Sequence, residues 1–306
     1  MLLEDVLEEY FYYCTAKGFT KKTMINKRQE LKQVKEFLIV NRGIQNLESV
    51  TTHDLKAYVR YKQQQGLKPQ SINSMFKMVA AFFNWCVREE YLSKEITSKV
   101  DIPRLPKTVL KGFRMNEINK MIDAFSFKNY IEARNKCIIA MLSDCGLRAM
   151  ELRTLKKSDI KETMILVNGK GNKERYVFIS PVLKRIMIKH DRLKKEYFKN
   201  RTIKEDTYFL SYQCKGLSHV ALDNIIKEAG RRANITDKRV SPHTFRHFYA
   251  VQCLMNGVDL HSLARLLGHS DISVTQRYLN SMTDTQLRDK AISASPLMNL
   301  GRSKND

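Results

Sequence analysis

The sequence predicts a mainly α-helical protein of two domains with a small β-sheet in the second. The chain has 306 residues, which is long for one core, and its 43% of hydrophobic residues is enough to bury two. Apolar residues recur at helical spacing through most of the chain. Residues 163–180 alternate instead and carry Asn-Gly and Gly-Asn pairs near their centre, which is typical of a two-stranded hairpin.

The first 92 residues are predicted to form four amphipathic helices separated by glycines. The four patterns cover residues 2–17, 21–40, 52–65 and 69–92. In the last of them, Phe76, Val79, Phe83 and Val87 repeat at helical spacing. We therefore interpret Trp85 and its aromatic neighbours as core or protomer contacts rather than a platform for stacked bases.

A connector is predicted after the fourth helix. Pro103 and Pro106 lack backbone donors, and basic residues are interleaved with them, which is typical of an extended, charged linker. The sequence thus predicts a helical domain over residues 1–100, a linker over 101–110, a mixed domain over 111–290 and a C-terminal tail over 291–306.

Helices and one hairpin are predicted for the second half. An apolar helix over 135–145 stops at Gly146, and another spans 147–155. The hairpin follows, and Ser180-Pro181 then begins a helix that runs to about residue 200. After a short apolar stretch at 207–212, four further helical patterns cover residues 218–235, 242–256, 259–270 and 272–281.

The charge points to a polyanionic partner. With 54 Lys and Arg against 32 Asp and Glu, the chain carries a net charge of +22, which favours nucleic acid as the partner class. An anionic membrane surface is the rival, but no apolar run approaches the roughly 20 residues of a spanning helix. The opening MLLEDVLEEY is acidic and unlike a signal peptide, so a cytoplasmic protein is expected.

The six cysteines lack zinc or disulfide spacing and are interpreted as buried reduced thiols.

Five short stretches in the second half carry candidate site residues. They are GLRAMEL with Arg148, GKGNKER with Lys170, HTFRH with His243 and Arg246, LLGHS with His269, and TQRYL with Tyr278. Their order and intervals, including the nine-residue step from His269 to Tyr278, resemble the tyrosine recombinase/integrase family, most closely its Xer-type members. The resemblance is strong over residues 110–282, and the N-terminal half is similar to a four-helix core-binding, SAM-like domain.

The residue types suit cleavage of a phosphodiester. Arg148 and Arg246 offer planar, permanent cations that match the non-bridging oxygens, whose charge grows in the transition state. His243 can take up and return the proton of an attacking hydroxyl, because its ordinary pKa lies near neutrality. Tyr278 is the candidate nucleophile. A phenol is mostly protonated at neutral pH, so it needs a cationic pocket to react.

The resemblance assigns the remaining roles. It implies that Lys170, on the hairpin turn, protonates the departing 5′-hydroxyl, although Lys173 is close enough in sequence to be confused with it. His269 is expected to bind the phosphate, and Glu151 to orient Arg148 or to cap locally. The family forms a 3′-phosphotyrosyl intermediate and exchanges strands without ATP or metal. No cofactor and no metal are therefore expected, in line with the lack of Walker and HExxH motifs.

The resemblance also implies the partners. We expect double-stranded DNA, a homotetramer on two DNA sites with the C-terminal tail docked in trans, and no membrane association. An accessory DNA-bending or directionality protein is a further candidate partner, and the expected location is the nucleoid within the cytoplasm. The chain begins directly with the helical domain, which favours short, simple target sites.

Several alternatives stay open at this point. A DNA-binding factor without catalysis would need the arginines but not Tyr278, and a type IB topoisomerase would use the same tyrosine. Chromosome dimer resolution and integration or excision of a mobile element are both compatible with the motifs. The other histidines have no motif role and are interpreted as structural or exposed; they are His53, His190, His219, His247 and His261.

Overall fold

The structure is a computed structural model of the 306-residue chain that describes residues 1–105, 112–169 and 174–295. The described part contains thirteen α-helices and one antiparallel pair of strands. The chain divides into two compact units, Met1–Thr108 and Val109–Asp306. The predicted class, mainly α-helical with a small sheet, is confirmed. The predicted linker at 101–110 and tail at 291–306 stay predictions, since residues 106–111 and 296–306 lie outside the described residues.

The first unit is built from four long helices. They are α1 (Leu3–Ala16), α2 (Lys21–Arg42), α3 (Thr52–Gln64) and α4 (Pro69–Arg88). Each buries one apolar face, and together these faces form a single core. Trp85 is buried in that core, where its ring lies 5.1 Å from Tyr10 and 6.4 Å from Phe82, so its predicted core role is confirmed.

The second unit surrounds a buried helix. Its elements are α5 (Met115–Asp123), α6 (Tyr130–Cys145), α7 (Ala149–Thr154), β1 (Met164–Asn168), β2 (Glu174–Phe178), α8 (Pro181–Tyr197), α9 (His219–Arg232), α10 (Pro242–Met255), α11 (Leu260–Leu267), α12 (Ile272–Leu279) and α13 (Asp284–Ser293). Helix α6 is apolar on most of its surface and packs against α5, α8, α9 and α10. It is therefore the centre of the core.

The hairpin places one arginine on its inner face. In the register of the pair, Ile165 faces Val177 and Val167 faces Arg175. Ile165, Val167 and Val177 are buried, so Arg175 points to the same side as the apolar residues of the strands. Residues 170–173, which include Lys170 and Lys173, lie outside the described residues.

Helix ends bring backbone carbonyls to one place. Glycines in the left-handed conformation end α6 and α11: φ is 59° at Gly146 and 65° at Gly268. The predicted start of α10 is also found, because the Ser241 hydroxyl accepts a hydrogen bond from the Thr244 amide and Pro242 opens the helix. These three termini frame the region in which the motif residues meet.

Gly146→Ala is expected to destabilise the second unit more than Gly257→Ala. Both glycines have positive φ, 59° and 88°, so each alanine carries a conformational penalty of about 1–2 kcal/mol. Only at Gly146 would the new Cβ also lie 2.4 Å from Cδ1 of Tyr249, whereas nothing lies within 4 Å at Gly257. Thermal unfolding of the two variants measures the difference, and equal losses would contradict the steric account.

Candidate functional site

The motif residues meet in the second unit, around the ends of α6, α7, α10 and α11. Of the six predicted site residues, Arg148, His243, Arg246, His269 and Tyr278 lie in the described part. Lys170 lies outside it, and nothing in the structure bears on its role.

Arg246 is the buried cation of the site. Its side chain on α10 is 3% exposed and donates through Nη1 to the Gly146 carbonyl (2.8 Å) and through Nη2 to the Leu267 carbonyl (2.5 Å). Nη2 also lies 3.0 Å from Nε2 of His269. Burial and the neighbouring Arg148 lower the pKa of Arg246 to about 10, so it keeps its charge at neutral pH.

Arg148 is the accessible cation. It lies at the N-cap of α7, and its Nη1 donates to Glu151 Oε1 (2.8 Å) and its Nη2 to the Gly268 carbonyl (3.2 Å). Its side chain is 40% exposed, which leaves part of the guanidinium open to a ligand. Glu151 makes the orienting contact that the sequence predicts.

Glu151 also binds an arginine for which the sequence reasoning gave no role. Arg175 on β2 donates to both carboxylate oxygens of Glu151, at 2.9 and 2.8 Å, and through Nε to the Leu266 carbonyl at 2.8 Å. Burial opposes ionisation of Glu151, but hydrogen bonds from Arg175 and Arg148 outweigh it and lower the pKa of Glu151 to about 2. The carboxylate therefore stays ionised and joins the two arginines.

His269 is held as a neutral ring. Its Nδ1 lies 2.8 Å from Oγ1 of the buried Thr275, and its Nε2 contacts Arg246. Burial, followed by the charges of Arg246 and Arg148, lowers the pKa of His269 to about 4. Because a guanidinium only donates, Nε2 accepts here and the proton is assigned to Nδ1. In this arrangement Nε2 of His269 contacts Arg246, and the expected binding of the phosphate by His269 stays a prediction.

Tyr278 lies beside both groups. Its side chain on α12 is 5% exposed, and its ring is nearly parallel to His269, with centroids 6.1 Å apart and an interplanar angle of 14°. It is close enough to Arg246 to raise the pKa of that arginine. The structure thus brings Arg148, Arg246, His269 and Tyr278 together.

His243 lies one helical turn before Arg246, near the start of α10. Partial burial and the charges of Arg246 and Arg239 lower the pKa of His243, so it is neutral and able to accept a proton at neutral pH. Within the described ranges it makes no side-chain hydrogen bond to another motif residue. Its place in the site follows from its position on α10.

His247 also contacts α12, the helix that carries Tyr278, and the sequence did not reveal this contact. Its Nε2 lies 2.8 Å from the Ser281 hydroxyl, which donates to the Tyr278 carbonyl at 2.7 Å. The His247 ring packs edge-on against Tyr278 with centroids 5.6 Å apart. The only signal in the sequence is its position directly after Arg246 in HTFRH.

We expect the second unit to lose stability as the pH falls below about 6.5, the ordinary histidine value. Burial is the first cause of the lowered pKa of His190, His243, His247 and His269. The unfolded chain therefore binds more protons than the folded one in this range, and folding weakens with acid.

Hydrogen exchange at pH 7.5 and 5.5, corrected for intrinsic rates, measures this effect. Amides of α10 are expected to open more readily at the lower pH. Helix α4 serves as the control because it contains no histidine, aspartate or glutamate. An unchanged opening free energy in α10 would contradict the expectation.

The described residues also bear on metal sites, membrane-spanning helices and free cysteines. In the described part of the chain, no group of three or more His, Cys, Asp or Glu side chains is placed to hold a metal ion. No helix there is long and apolar enough to cross a membrane. Of the six free cysteines, Cys14, Cys86, Cys137 and Cys145 are buried, and Cys214 and Cys253 are half-buried.

Comparison with known proteins gives consistent matches over both units. The Phage integrase family model matches residues 110–284, more than half of the chain, and the phage integrase N-terminal SAM-like domain matches residues 7–90. Tyrosine recombinase XerD of Staphylococcus saprophyticus is 27% identical over 289 residues, which cover 94% of this chain and 97% of that protein.

Two solved structures share the fold. A lambda integrase(75-356) dimer bound to a COC' core site aligns with a TM-score of 0.72 at 16% identity, over 93% of this chain and 97% of that one. A lambda integrase tetramer bound to a Holliday junction gives 0.70 at 17% identity, over 91% and 77%.

Proposed function

Because this chain belongs to the phage integrase family and is a Xer-type site-specific recombinase that cleaves and rejoins DNA, we propose that Tyr278 is its nucleophile. The phenol oxygen attacks the scissile phosphorus, the bond from phosphorus to the 5′ oxygen breaks, and a 3′-phosphotyrosyl link forms. A 5′-hydroxyl of the partner strand then attacks this link and releases Tyr278. One phosphodiester replaces another, so the reaction needs no external energy source.

The observation that carries this assignment is the proximity of Tyr278 to Arg246, the buried member of the guanidinium pair. Arg246 is fixed by three bonds to Gly146, Leu267 and His269, whereas Arg148 is partly open. The guanidinium beside the phenol stabilises the phenolate character of the nucleophile, and the two guanidinium groups together stabilise the charge that develops on the phosphate. This arrangement is organised before DNA binds.

We assign the proton transfers to two further residues. His243 accepts the phenolic proton, since its lowered pKa leaves the ring unprotonated at neutral pH. Lys170 gives a proton to the departing 5′ oxygen. This second role rests on the motif alone, because Lys170 lies outside the described residues.

We further propose that four copies of the chain act on two double-stranded DNA sites. The net charge of +22 and the fold shared with the DNA-bound lambda integrase dimer and tetramer support DNA binding and multimer assembly. An accessory DNA-bending or directionality protein belongs to the same proposal, as does a location on the nucleoid in the cytoplasm. Chromosome dimer resolution and mobile-element movement require the same chemistry, and the proposal covers both.

Covalent trapping tests the proposed chemistry. The protein is incubated with a pool of nicked DNA duplexes and then denatured. The DNA that stays attached to the protein is sequenced. We expect defined 3′ ends joined to a peptide that contains Tyr278. DNA binding without any attachment, at low salt and with added cell extract, would favour a DNA-binding factor that lacks catalysis.

Deletion of residues 294–306 is expected to impair assembly of several protomers on DNA more than binding of one protomer. The prediction follows from the proposed docking of this segment in trans; residues 296–306 lie outside the described part. Gel-shift titrations on one site and on paired sites separate the two effects. Equal losses on both substrates would contradict docking in trans.

A further inference from the structure

We propose that Arg175 is a positioning residue that neutralises Glu151 and thereby leaves the charge of Arg148 available to the scissile phosphate. The inference rests on the proposed function, because it concerns how the same site holds its accessible cation. It assigns to Arg175 no direct contact with DNA.

The carboxylate of Glu151 is shared by Arg175 and Arg148. Both oxygens of the buried Glu151 accept from Arg175, at 2.9 and 2.8 Å. Oε1 also accepts from Arg148 Nη1, and Oε2 from the Arg148 backbone amide, each at 2.8 Å. Arg175 thus holds the carboxylate in a two-pronged pair, while the Arg148 side chain makes one bond to it.

Arg175 balances the charge of Glu151. Arg175 is 8% exposed, so its interaction with Glu151 is little screened by water. The pair is neutral as a unit, and Arg148 remains a net cation beside it. Without the cation at position 175, Glu151 would be paired with Arg148 alone. The field that this pair presents to a phosphate would then be close to that of a neutral group.

Arg175 also supports the groups that hold the Arg148 side chain. Arg175 Nε donates to the Leu266 carbonyl at 2.8 Å, and a Cβ on Gly268 would lie 2.9 Å from Arg175 Cδ. The Gly268 carbonyl in turn accepts from Arg148 Nη2 at 3.2 Å. Arg175 therefore lies against both groups that hold the Arg148 side chain, Glu151 and Gly268.

Removing the charge of Arg175 distinguishes a positioning role from a purely structural one. Arg175→Met is expected to slow single-turnover covalent attachment by about 10-fold or more at saturating DNA, a smaller loss than the 10² to 10³ typical for a direct donor. The double variant Arg175→Met with Glu151→Gln is expected to react faster than Arg175→Met alone, because it removes the uncompensated carboxylate. Arg175→Lys keeps the charge but not the two-pronged pair or the bond to Leu266, so it is expected to lose less rate than Arg175→Met.

A buried arginine elsewhere in the unit provides the matched control. Arg134 is also buried and donates to the Leu210 carbonyl at 2.9 Å and to Asn135; within the described residues it makes no hydrogen bond or ion pair to a motif residue. Arg134→Met is expected to lower thermal stability while the folded protein keeps its attachment rate. This comparison separates lost stability from lost positioning.

The outcomes that overturn the inference are distinct from failure of the proposed function. A wild-type rate in Arg175→Met, or a double variant no faster than Arg175→Met, would overturn the role of Arg175 alone. If Arg175→Met does not fold, the attachment rate of Arg175→Lys is the deciding measurement. A fall in that rate by the 10² to 10³ typical for a direct donor would overturn the role assigned to the charge of Arg175. Wild-type protein that never becomes attached to DNA would overturn the proposed function, and the role of Arg175 with it.

Discussion

Tyr278→Phe is expected to abolish the covalent complex with DNA and to leave DNA affinity almost unchanged. Phenylalanine keeps the ring contacts with His269 and His247 and removes only the hydroxyl. Affinity depends mainly on phosphate contacts along the duplex, which this change does not touch. Denaturing gels of trapped nicked duplex measure attachment, and fluorescence anisotropy at one fixed salt concentration measures binding.

Tyr249→Phe is the matched control for this experiment. Tyr249 lies on α10 in the same unit, and its hydroxyl interacts with Cys253 rather than with a motif residue. It is expected to trap DNA like the wild type. Attachment that persists in Tyr278→Phe would identify another nucleophile and withdraw the assignment of Tyr278.

Most helices could be predicted because burial here follows one-sided apolar patterns. Predicted and observed bounds of α2 differ by two residues at its end, where Gly43 rather than the last apolar residue stops the helix. Two helices were not predicted. Helix α13 has no buried residue, so it carries no apolar stripe to detect. Helix α5 has only nine residues and buries two, Ile118 and Met121.

The motif residues could be predicted because each lies in a short, contiguous pattern. Their partners could not, since contacts such as Arg175 to Leu266 and His247 to Ser281 join residues 91 and 34 positions apart. One signal was present for Arg175. It alternates with Val177 on β2, so the predicted hairpin already placed an arginine on the inward face of a strand. A buried cation is paired or hydrogen-bonded, and for Arg175 the partner is the acidic Glu151.

Arg246→Lys is expected to slow covalent attachment by about 10² to 10³ although it conserves the charge. The guanidinium reaches the Gly146 and Leu267 carbonyls and His269 at once. A single ammonium group cannot hold these three positions and also face a phosphate. Each buried carbonyl left without a partner costs about 1–3 kcal/mol, so a lower melting temperature is expected as well.

Arg153→Lys is the control for the general effect of replacing arginine in this unit. Arg153 is half-buried and donates through Nε to the Leu217 carbonyl at 2.6 Å. It makes no contact with the motif residues in the described part of the chain. Its attachment rate is expected to stay near that of the wild type.

The pH dependence of Arg246→Lys separates lost geometry from lost charge. Burial and Arg148 lower the pKa of Arg246 to about 10, which still leaves it charged at neutral pH. A lysine begins from a lower ordinary value, about 10.4, so the same surroundings bring its deprotonation closer to neutrality. The deficit of the variant is therefore expected to grow as pH rises from 7 to 9 in single-turnover assays. A deficit that stays constant over this range would show that geometry alone accounts for the loss, and a wild-type rate at pH 7 would remove Arg246 from the site.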